Sequence, residues 1–93
     1  MGHTSPDKLK DLQEVIAQIR SWENIKEKSL NIFYLKSKPF LHFHDKNGQR
    51  WADVRDGDTW GKELVIPFDS TATQRSAFLK EVKRRYQDLR EGK

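Results

Sequence analysis

Three hydrophobic patterns follow one another along the chain. The first has apolar residues at helical spacing and predicts a helix over residues 6–23. Its apolar positions are Leu9, Leu12, Val15, Ile16, Ile19 and Trp22. The second, over residues 30–68, is rich in aromatic and β-branched residues and broken by turn signals, which predicts antiparallel strands. The third again has helical spacing and predicts a C-terminal helix. Its apolar positions are Phe78, Leu79, Val82, Tyr86 and Leu89.

Residues at the ends of these segments support the two helices. Ser5 followed by Pro6 is typical of a helix start, with Ser5 as the N-cap. Thr71 with Gln74 three residues later matches a capping box. Gly92 stands where a helix-ending residue is expected. Residues 24–29, between the first helix and the strands, are interpreted as a connector.

Turn residues divide the middle of the chain into four strands. Asn47-Gly48 is the strongest hairpin signal, Ser37-Lys38 before Pro39 is a weaker one, and the third turn is the segment DGDTWG. The predicted strands span about 30–36, 39–46, 49–55 and 62–68. The fold class is therefore α+β, in the order α-β-β-β-β-α, with a four-stranded antiparallel meander and two helices packed on one face.

Counting outward from Asn47-Gly48 predicts which side chains share a face of the sheet. His44 lies opposite Trp51 and His42 opposite Asp53, and residues directly opposite share a face. Leu41, Phe43, Asp45, Arg50, Ala52 and Val54 then face the helices. Extending the count through Ser37-Lys38 adds Ile32 and Tyr34 to the helix side. The predicted outer face, which we take as the candidate binding surface, consists of Phe33, Leu35, Phe40, His42, His44, Trp51, Asp53 and Arg55.

Two kinds of chemistry could be assembled on this outer face. His42 and His44 with the carboxylate of Asp53 could supply three ligands to a metal ion and leave positions open. Alternatively, His42 oriented by Asp53 could act as an acid–base pair, with these two as the catalytic candidates. No nucleophile is identifiable, because Ser37, Thr59 and Ser70 lie at turns without a suitable motif. The more ordinary interpretation is that Asp53 pairs with His42 while His44 packs on Trp51. We expect no cofactor.

The net charge of +4 lies at one end of the chain. Residues 72–93 carry seven basic and three acidic groups, which accounts for the whole excess. Several of these basic residues fall on the helix face opposite the apolar stripe, where they could follow a phosphate backbone. They are Lys80, Lys83, Arg84 and Arg90. A sheet face bearing aromatic residues could stack bases, so nucleic acid is a possible partner.

Length and composition narrow the remaining possibilities. The chain of 93 residues fits a single domain, with residues 1–4 expected to be disordered or an added remnant and residues 91–93 frayed. Cysteine is absent, which excludes disulfides and thiolate sites and agrees with a cytoplasmic location. No apolar run approaches a membrane span, so we expect no membrane partner.

Short motifs on these strands resemble a known group of proteins. The run PFLHFH, followed by ADVR, IPF and a basic terminal helix, resembles small bacterial proteins of an uncharacterised family over residues 33–86. The resemblance implies a single bacterial domain of this shape and no catalytic residues.

The favoured hypothesis is a non-enzymatic binding protein that uses the outer sheet face. Excess apolar surface on such a face is typical of a contact site, and a second copy of the chain could bury it in a C2 homodimer. A protein partner or self-association is therefore the first expectation. Nucleic-acid binding and a small metal-dependent or His/Asp acid–base enzyme are the alternatives.

Overall fold

The computed structural model describes residues 4–92. Its helical elements are a 3-10 helix (Pro6–Leu12), α1 (Gln13–Ser21) and α2 (Ala72–Arg90). Its strands are β1 (Ile25–Ser29), β2 (Ile32–Leu35), β3 (Lys38–Lys46), β4 (Gln49–Asp56), β5 (Thr59–Trp60) and β6 (Leu64–Val65). The predicted α+β class is confirmed. The sheet has six strands in place of four, because two very short strands replace the last one and β1 forms where a connector is predicted.

Both chain ends are held by hydrogen bonds within the described range. Thr4 is buried, and its backbone N–H donates to the carbonyl of Phe43 at 3.2 Å. At the other end, the N–H of Glu91 donates to the carbonyl of Gln87, and Gly92 has the positive φ of a helix-ending residue. The rest of the predicted disorder and fraying concerns residues 1–3 and 93, which lie outside the described residues.

The N-terminal helix differs from its prediction, whereas the C-terminal one begins as predicted. The first seven helical residues form a 3-10 helix with a kink at Leu9, and the Ser5 side chain makes no capping bond to the helix backbone. The Ser5 hydroxyl instead donates to Asp7. In α2, the Thr71 hydroxyl accepts from the N–H of Gln74, whose side chain accepts from the N–H of Thr71. This reciprocal pair is the predicted capping box.

The sheet runs in the order β1-β2-β3-β4-β5, with β6 also paired to β4. The segment predicted as a connector is strand β1, which pairs antiparallel with β2. Its sequence IKEKS is rich in lysine and glutamate, which sequence patterns associate with loops. Charged residues are common on edge strands because they discourage further pairing with other chains. The composition of β1 therefore reflects its position at the edge.

The β3–β4 hairpin has the predicted register. Asn47 and Gly48 have φ values of 53° and 79°, as the two-residue turn requires. The pairs His42 with Asp53 and His44 with Trp51 occur as counted from this turn. The histidines and Asp53 therefore share the face of the sheet that the helices leave uncovered.

The β2–β3 turn lies one residue earlier than predicted. Lys36 and Ser37, not Ser37 and Lys38, occupy the turn with φ values of 52° and 74°, and Leu35 pairs with Lys38. A bulge follows, because Phe33 pairs with Leu41 while Tyr34 pairs with Pro39, so Phe40 is the extra residue. Shifting the register by one residue moves every side chain of β2 to the other face.

This shift corrects the predicted composition of the two faces. Phe33, Leu35 and Phe40, which the sequence assigns to the outer face, are buried in the core, where Phe40 contacts the ring of Tyr86. Tyr34, predicted on the helix side, alternates with Phe33 and so lies on the outer face with Ile32. The reason is the turn and bulge together, which bring both Phe33 and Phe40 to the side of Leu41.

A single hydrophobic core lies between the helices and one face of the sheet. It joins apolar residues of the 3-10 helix and both α-helices to alternate residues of β2, β3 and β4, as predicted for two helices on one face. Its largest apolar members are fully or almost fully buried. They are Leu9, Leu12, Ile16, Ile19, Phe33, Phe40, Leu41, Phe43, Val54, Ile66 and Val82.

The segment after β4 forms two short strands at different places along that strand. Gly57, with a φ of 70°, begins a tight turn after β4. Across this turn Thr59, the first residue of β5, pairs with Asp56, the last residue of β4. Further on, Leu64 and Val65 form β6 opposite the middle of β4. The sequence predicts one long strand over 62–68. In the structure, residues 61–63 separate the pairing of β5 with β4 from that of β6 with β4.

Two arginines are buried at the edges of this core and hold its parts together. Arg50 is completely inaccessible to solvent and Arg85 is 4% exposed. Arg85 donates to the carbonyls of Val54 and Lys62 and to the carboxylate of Glu81. The guanidinium of Arg85 therefore ties α2 to β4 and to the loop between β5 and β6.

Gly61 is required by the position of Arg85. A Cβ atom on Gly61 would lie 2.5 Å from Nη1 of Arg85 and 2.8 Å from Cβ of Asp56. The guanidinium cannot move away without losing its hydrogen bonds to Val54 and Lys62. We expect Gly61→Ala to lower the free energy of unfolding by about 1–3 kcal/mol in urea denaturation, as overpacking does elsewhere. In an Arg85→Ala background the added methyl should cost clearly less, and an equal cost in both backgrounds would contradict a clash with the guanidinium.

Candidate functional site

The uncovered face of the sheet combines aromatic and basic side chains. We call it the helix-free face, and define it by the residues that alternate with the core positions of β1 to β6. Its aromatic and histidine members are Tyr34, His42, His44, Trp51 and Trp60. Its charged members are Lys26, Lys28, Lys46, Asp53 and Arg55. Of the predicted surface, this face keeps His42, His44, Trp51, Asp53 and Arg55 and loses its three apolar residues to the core.

One row of the helix-free face crosses five strands. Lys26 pairs with Tyr34, Tyr34 with Pro39, and Arg55 with Trp60. The first two pairs lie on β1 to β3 and the third lies on β4 and β5. Arg55 joins them, because its Nε donates to the carbonyl of Pro39 at 2.7 Å. Tyr34 and Trp60 are therefore three strands apart, about 14 Å at the usual strand spacing.

Three lysines surround Tyr34 at one end of this row. The Nζ atom of Lys28 lies 4.7 Å from the centre of the Tyr34 ring. Lys26, Lys28 and Lys36 line a shallow depression of about 180 Å³ beside that ring, together with Asn24 and Ser37. All three lysines are exposed, and none takes part in an ion pair within residues 4–92. This end of the face is accordingly basic and accessible.

The other end of the row carries an exposed tryptophan held in place by its neighbours. The Arg55 guanidinium lies 4.9 Å from the centre of the Trp60 ring, and the His42 ring contacts Trp60 edge-on at 4.9 Å. Arg55 is itself fixed by the carbonyls of Pro39 and Asp58. Trp60 is 38% exposed, so part of its surface remains available to a ligand.

His42, His44 and Asp53 come together at the centre of the helix-free face. Nε2 of His44 lies 3.0 Å from Oδ2 of Asp53, and the two imidazoles meet edge to face with centres 4.5 Å apart. One ligand atom from each residue lies within 4.8 Å of the others. Asp53 lies opposite His42, as predicted, and its carboxylate also contacts His44, the residue diagonally across the hairpin. His44 also stacks on Trp51 at 5.6 Å, as predicted.

Comparison of the chain with protein-family models, with curated proteins and with solved structures finds no significant match in any of the three. The resemblance to small bacterial proteins stays a prediction, and any proposal about function depends on the geometry of this chain. None of the helices within residues 4–92 has the length and apolar character needed to cross a membrane.

The two arginines of the basic face predicted on α2 are paired with acidic neighbours. Arg84 forms ion pairs with Glu81, Asp88 and Asp56. Hydrogen bonds to Glu81 and then to Asp56 raise the pKa of Arg84, and the Arg84 guanidinium, followed by Arg85, lowers the pKa of Glu81 to about 2.

The other basic residues predicted on this face of α2 differ in their contacts. Arg90 pairs with Glu23 and lies over the Tyr86 ring, while Lys83 lies 6.0 Å from the centre of the Trp22 ring. Of the four predicted residues, Lys80 and Lys83 have no ion pair within the described range. The arginines of α2 thus serve mainly to attach the helix to its surroundings.

Sequence reasoning missed the residues that make the helix-free face basic. The sequence pattern places Lys26 and Lys28 in a connector and Tyr34 on the helix side of the sheet. The signal for the first two was present in the alternation of Ile25, Lys26, Glu27 and Lys28, which is the period of a strand. Charge counting also obscured them, because residues 1–28, which include both lysines, carry five basic and five acidic groups.

Proposed function

We propose that this protein is a non-enzymatic binding protein that uses the helix-free face, and that its ligand is a single-stranded nucleic acid. The observation that carries the proposal is the depression beside Tyr34, where three exposed lysines surround an aromatic ring on the same face as Trp51 and Trp60. Proteins that bind single strands combine basic grooves with aromatic rings on which bases stack.

Charge and shape both favour a single strand over other ligands. Lys26, Lys28 and Lys36 could contact phosphates while Tyr34 and Trp60 offer ring surface to bases. Asp53, the acidic member of the face, contacts the imidazole of His44 at 3.0 Å and does not lie beside these lysines in the depression. A twisted sheet surface with rings about 14 Å apart would suit an extended strand better than a duplex, whose bases are stacked inside.

The other hypotheses have less support on this face. The predicted homodimer depended on Phe33, Leu35 and Phe40, which contribute to the core instead. The large exposed apolar residues of the helix-free face are Trp60 and Val65. Association with a protein or with a second copy, a bacterial origin and a cytoplasmic location all stay predictions. An acid–base enzyme would use His44 with Asp53. The sequence offers no identifiable nucleophile to act with them.

Tryptophan fluorescence offers a direct test of nucleic-acid binding. Titration with a short single-stranded RNA of mixed sequence should quench the emission of Trp51 and Trp60, because bases stack on or near these rings. Binding should weaken strongly between about 50 mM and about 200 mM salt. Trp60→Phe should reduce the quenched fraction, whereas Trp22→Phe should not, since Trp22 packs against Tyr86 on the helix side. Absence of salt-sensitive quenching would overturn the proposal.

A further inference from the structure

We infer that His42, His44 and Asp53 form a binding site for a divalent first-row transition-metal ion of the zinc type. Its donors are none of the lysines around Tyr34, and it shares with the proposed nucleic-acid surface only the bordering rings of Trp51 and Trp60. Two imidazole nitrogens and one carboxylate are a donor set that Zn²⁺ and its neighbours in the series accept.

The backbone places these three donors on one rigid platform. His42 and His44 are two residues apart on β3, so they project from the same face, and Asp53 lies directly opposite His42 on β4. All three belong to the longest paired region of the sheet, whose register is fixed by the turn at Asn47 and Gly48. The donors are thus brought together by the fold rather than by a flexible loop.

The distances between donor atoms are close to those of a coordinated ion. Two ligands bound at about 2.1 Å from Zn²⁺ can be at most about 4.2 Å apart. Nε2 of His44 and Oδ2 of Asp53, at 3.0 Å, already satisfy this limit. All three donor atoms lie within 4.8 Å of one another, so the widest pair would have to approach by at most about 0.6 Å on binding. Three protein donors leave one position of a tetrahedral site for water.

The surroundings of the cluster favour a bound ion. Trp60 contacts His42 and Trp51 stacks on His44, so apolar ring surface borders the donors on two sides. All three donor residues are only partly exposed. Limited access of water strengthens the attraction between the carboxylate and a cation. The two tryptophans also give the site a spectroscopic reporter.

The test uses protein without a polyhistidine tag and Co²⁺ or Zn²⁺ as the added ion. We expect one ion per chain, quenching of tryptophan emission by paramagnetic Co²⁺, and a rise in melting temperature with Zn²⁺ because the ion binds the folded state. Asp53→Asn, which preserves the shape of the side chain, should weaken Zn²⁺ binding at least about tenfold, and His42→Ala likewise. Circular dichroism melts establish that each variant is folded.

Two control variants distinguish this site from zinc binding elsewhere on the chain. His3→Ala removes the remaining histidine of the chain and should leave Zn²⁺ binding unchanged. A Lys26→Gln/Lys28→Gln double variant should also keep Zn²⁺ binding while it weakens RNA binding, so failure of one proposal is distinguishable from failure of the other. Equal Zn²⁺ affinity in the wild type and in folded Asp53→Asn would overturn the metal site, as would loss of binding on His3→Ala.

Discussion

Replacing Asp11 by asparagine is expected to lower the free energy of unfolding by about 3–5 kcal/mol. Asp11 accepts two hydrogen bonds from the buried guanidinium of Arg50, at 2.7 and 2.8 Å. It also accepts from the backbone N–H and the hydroxyl of Ser70. Asparagine has almost the same shape but carries no charge and turns one acceptor into a donor. The Arg50 charge would then be buried without a counterion, which is the costly case.

The rest of the Arg50 environment explains why the loss should be so large. Its remaining donors bond to the carbonyls of Lys8, Ile66 and Pro67, so the network connects the 3-10 helix, β4 and the segment before α2. A domain of this size is stabilised by only about 5–15 kcal/mol in total. Loss of one member should therefore be visible as a lower urea midpoint and a melting temperature reduced by on the order of 10 °C or more.

Asp45→Asn provides a matched control for Asp11→Asn. Asp45 also pairs with a basic residue, but its partner Lys8 is exposed, and exposed ion pairs contribute little to stability. The same chemical change should therefore have a small effect at position 45 and a large one at position 11. Similar losses for the two variants would contradict the assignment of Asp11 and Arg50 as the main polar connection.

The contact between Asp11 and Arg50 also predicts how the free energy of unfolding responds to acid. Hydrogen bonds from Arg50, and then from Ser70, hold the pKa of Asp11 well below its ordinary value of 3.8. A carboxyl with a lowered pKa in the folded state contributes stability above its unfolded pKa, and this contribution is lost as the pH falls below about 4. Urea denaturation from pH 6 down to pH 2 should therefore show a shallower acid decline in Asp11→Asn than in the wild type.

Replacing Lys26 and Lys28 by glutamine should weaken binding of single-stranded RNA on the order of tenfold at about 0.1 M salt. Each phosphate contact to a single strand contributes about 0.7 to the slope of log affinity against log salt. Loss of two contacts should therefore reduce the magnitude of the slope by about 1.4. Fluorescence titrations of the double variant at several salt concentrations provide the measurement.

Lys80→Gln/Lys83→Gln is the control for this double variant. Both double variants lower the net charge from +4 to +2, but Lys80 and Lys83 lie on α2, whose apolar side packs on the opposite face of the sheet. We expect the helix variant to keep the affinity and the salt slope of the wild type. Equal losses in the two variants would mean that overall charge, not the helix-free face, governs binding.

The sequence predicted the part of the fold that depends on strong local signals. Asn47-Gly48 determines the register of β3 and β4, and with it the meeting of His42, His44 and Asp53 on one face. The turn at Lys36 and Ser37 gave no such signal, because neither residue type favours positive φ. A bulge at Phe40 has no sequence signature that distinguishes it from regular strand.

The distribution of charge was predicted less well than the fold, for a related reason. Arg90 pairs with Glu23, which is far away in the sequence and meets it only through tertiary packing. Arg84 pairs with the equally distant Asp56, but also with Glu81 and Asp88, one turn away on the same helix. Counting charges by segment therefore placed the accessible basic surface on α2. In the folded chain Lys80 and Lys83 keep part of that surface on α2, and a second basic surface lies around Tyr34, on strands whose segments are close to neutral in sequence.

The central claim is that the helix-free face contacts the ligand, and amide and indole NMR shifts on addition of single-stranded RNA test it most directly. We predict progressive shifts at Lys26, Tyr34, Arg55 and the Trp60 indole, decreasing with added salt, and unchanged signals along the exposed side of α2. Shifts confined to Lys80, Lys83 and their neighbours on α2, or no shifts at low salt, would contradict it.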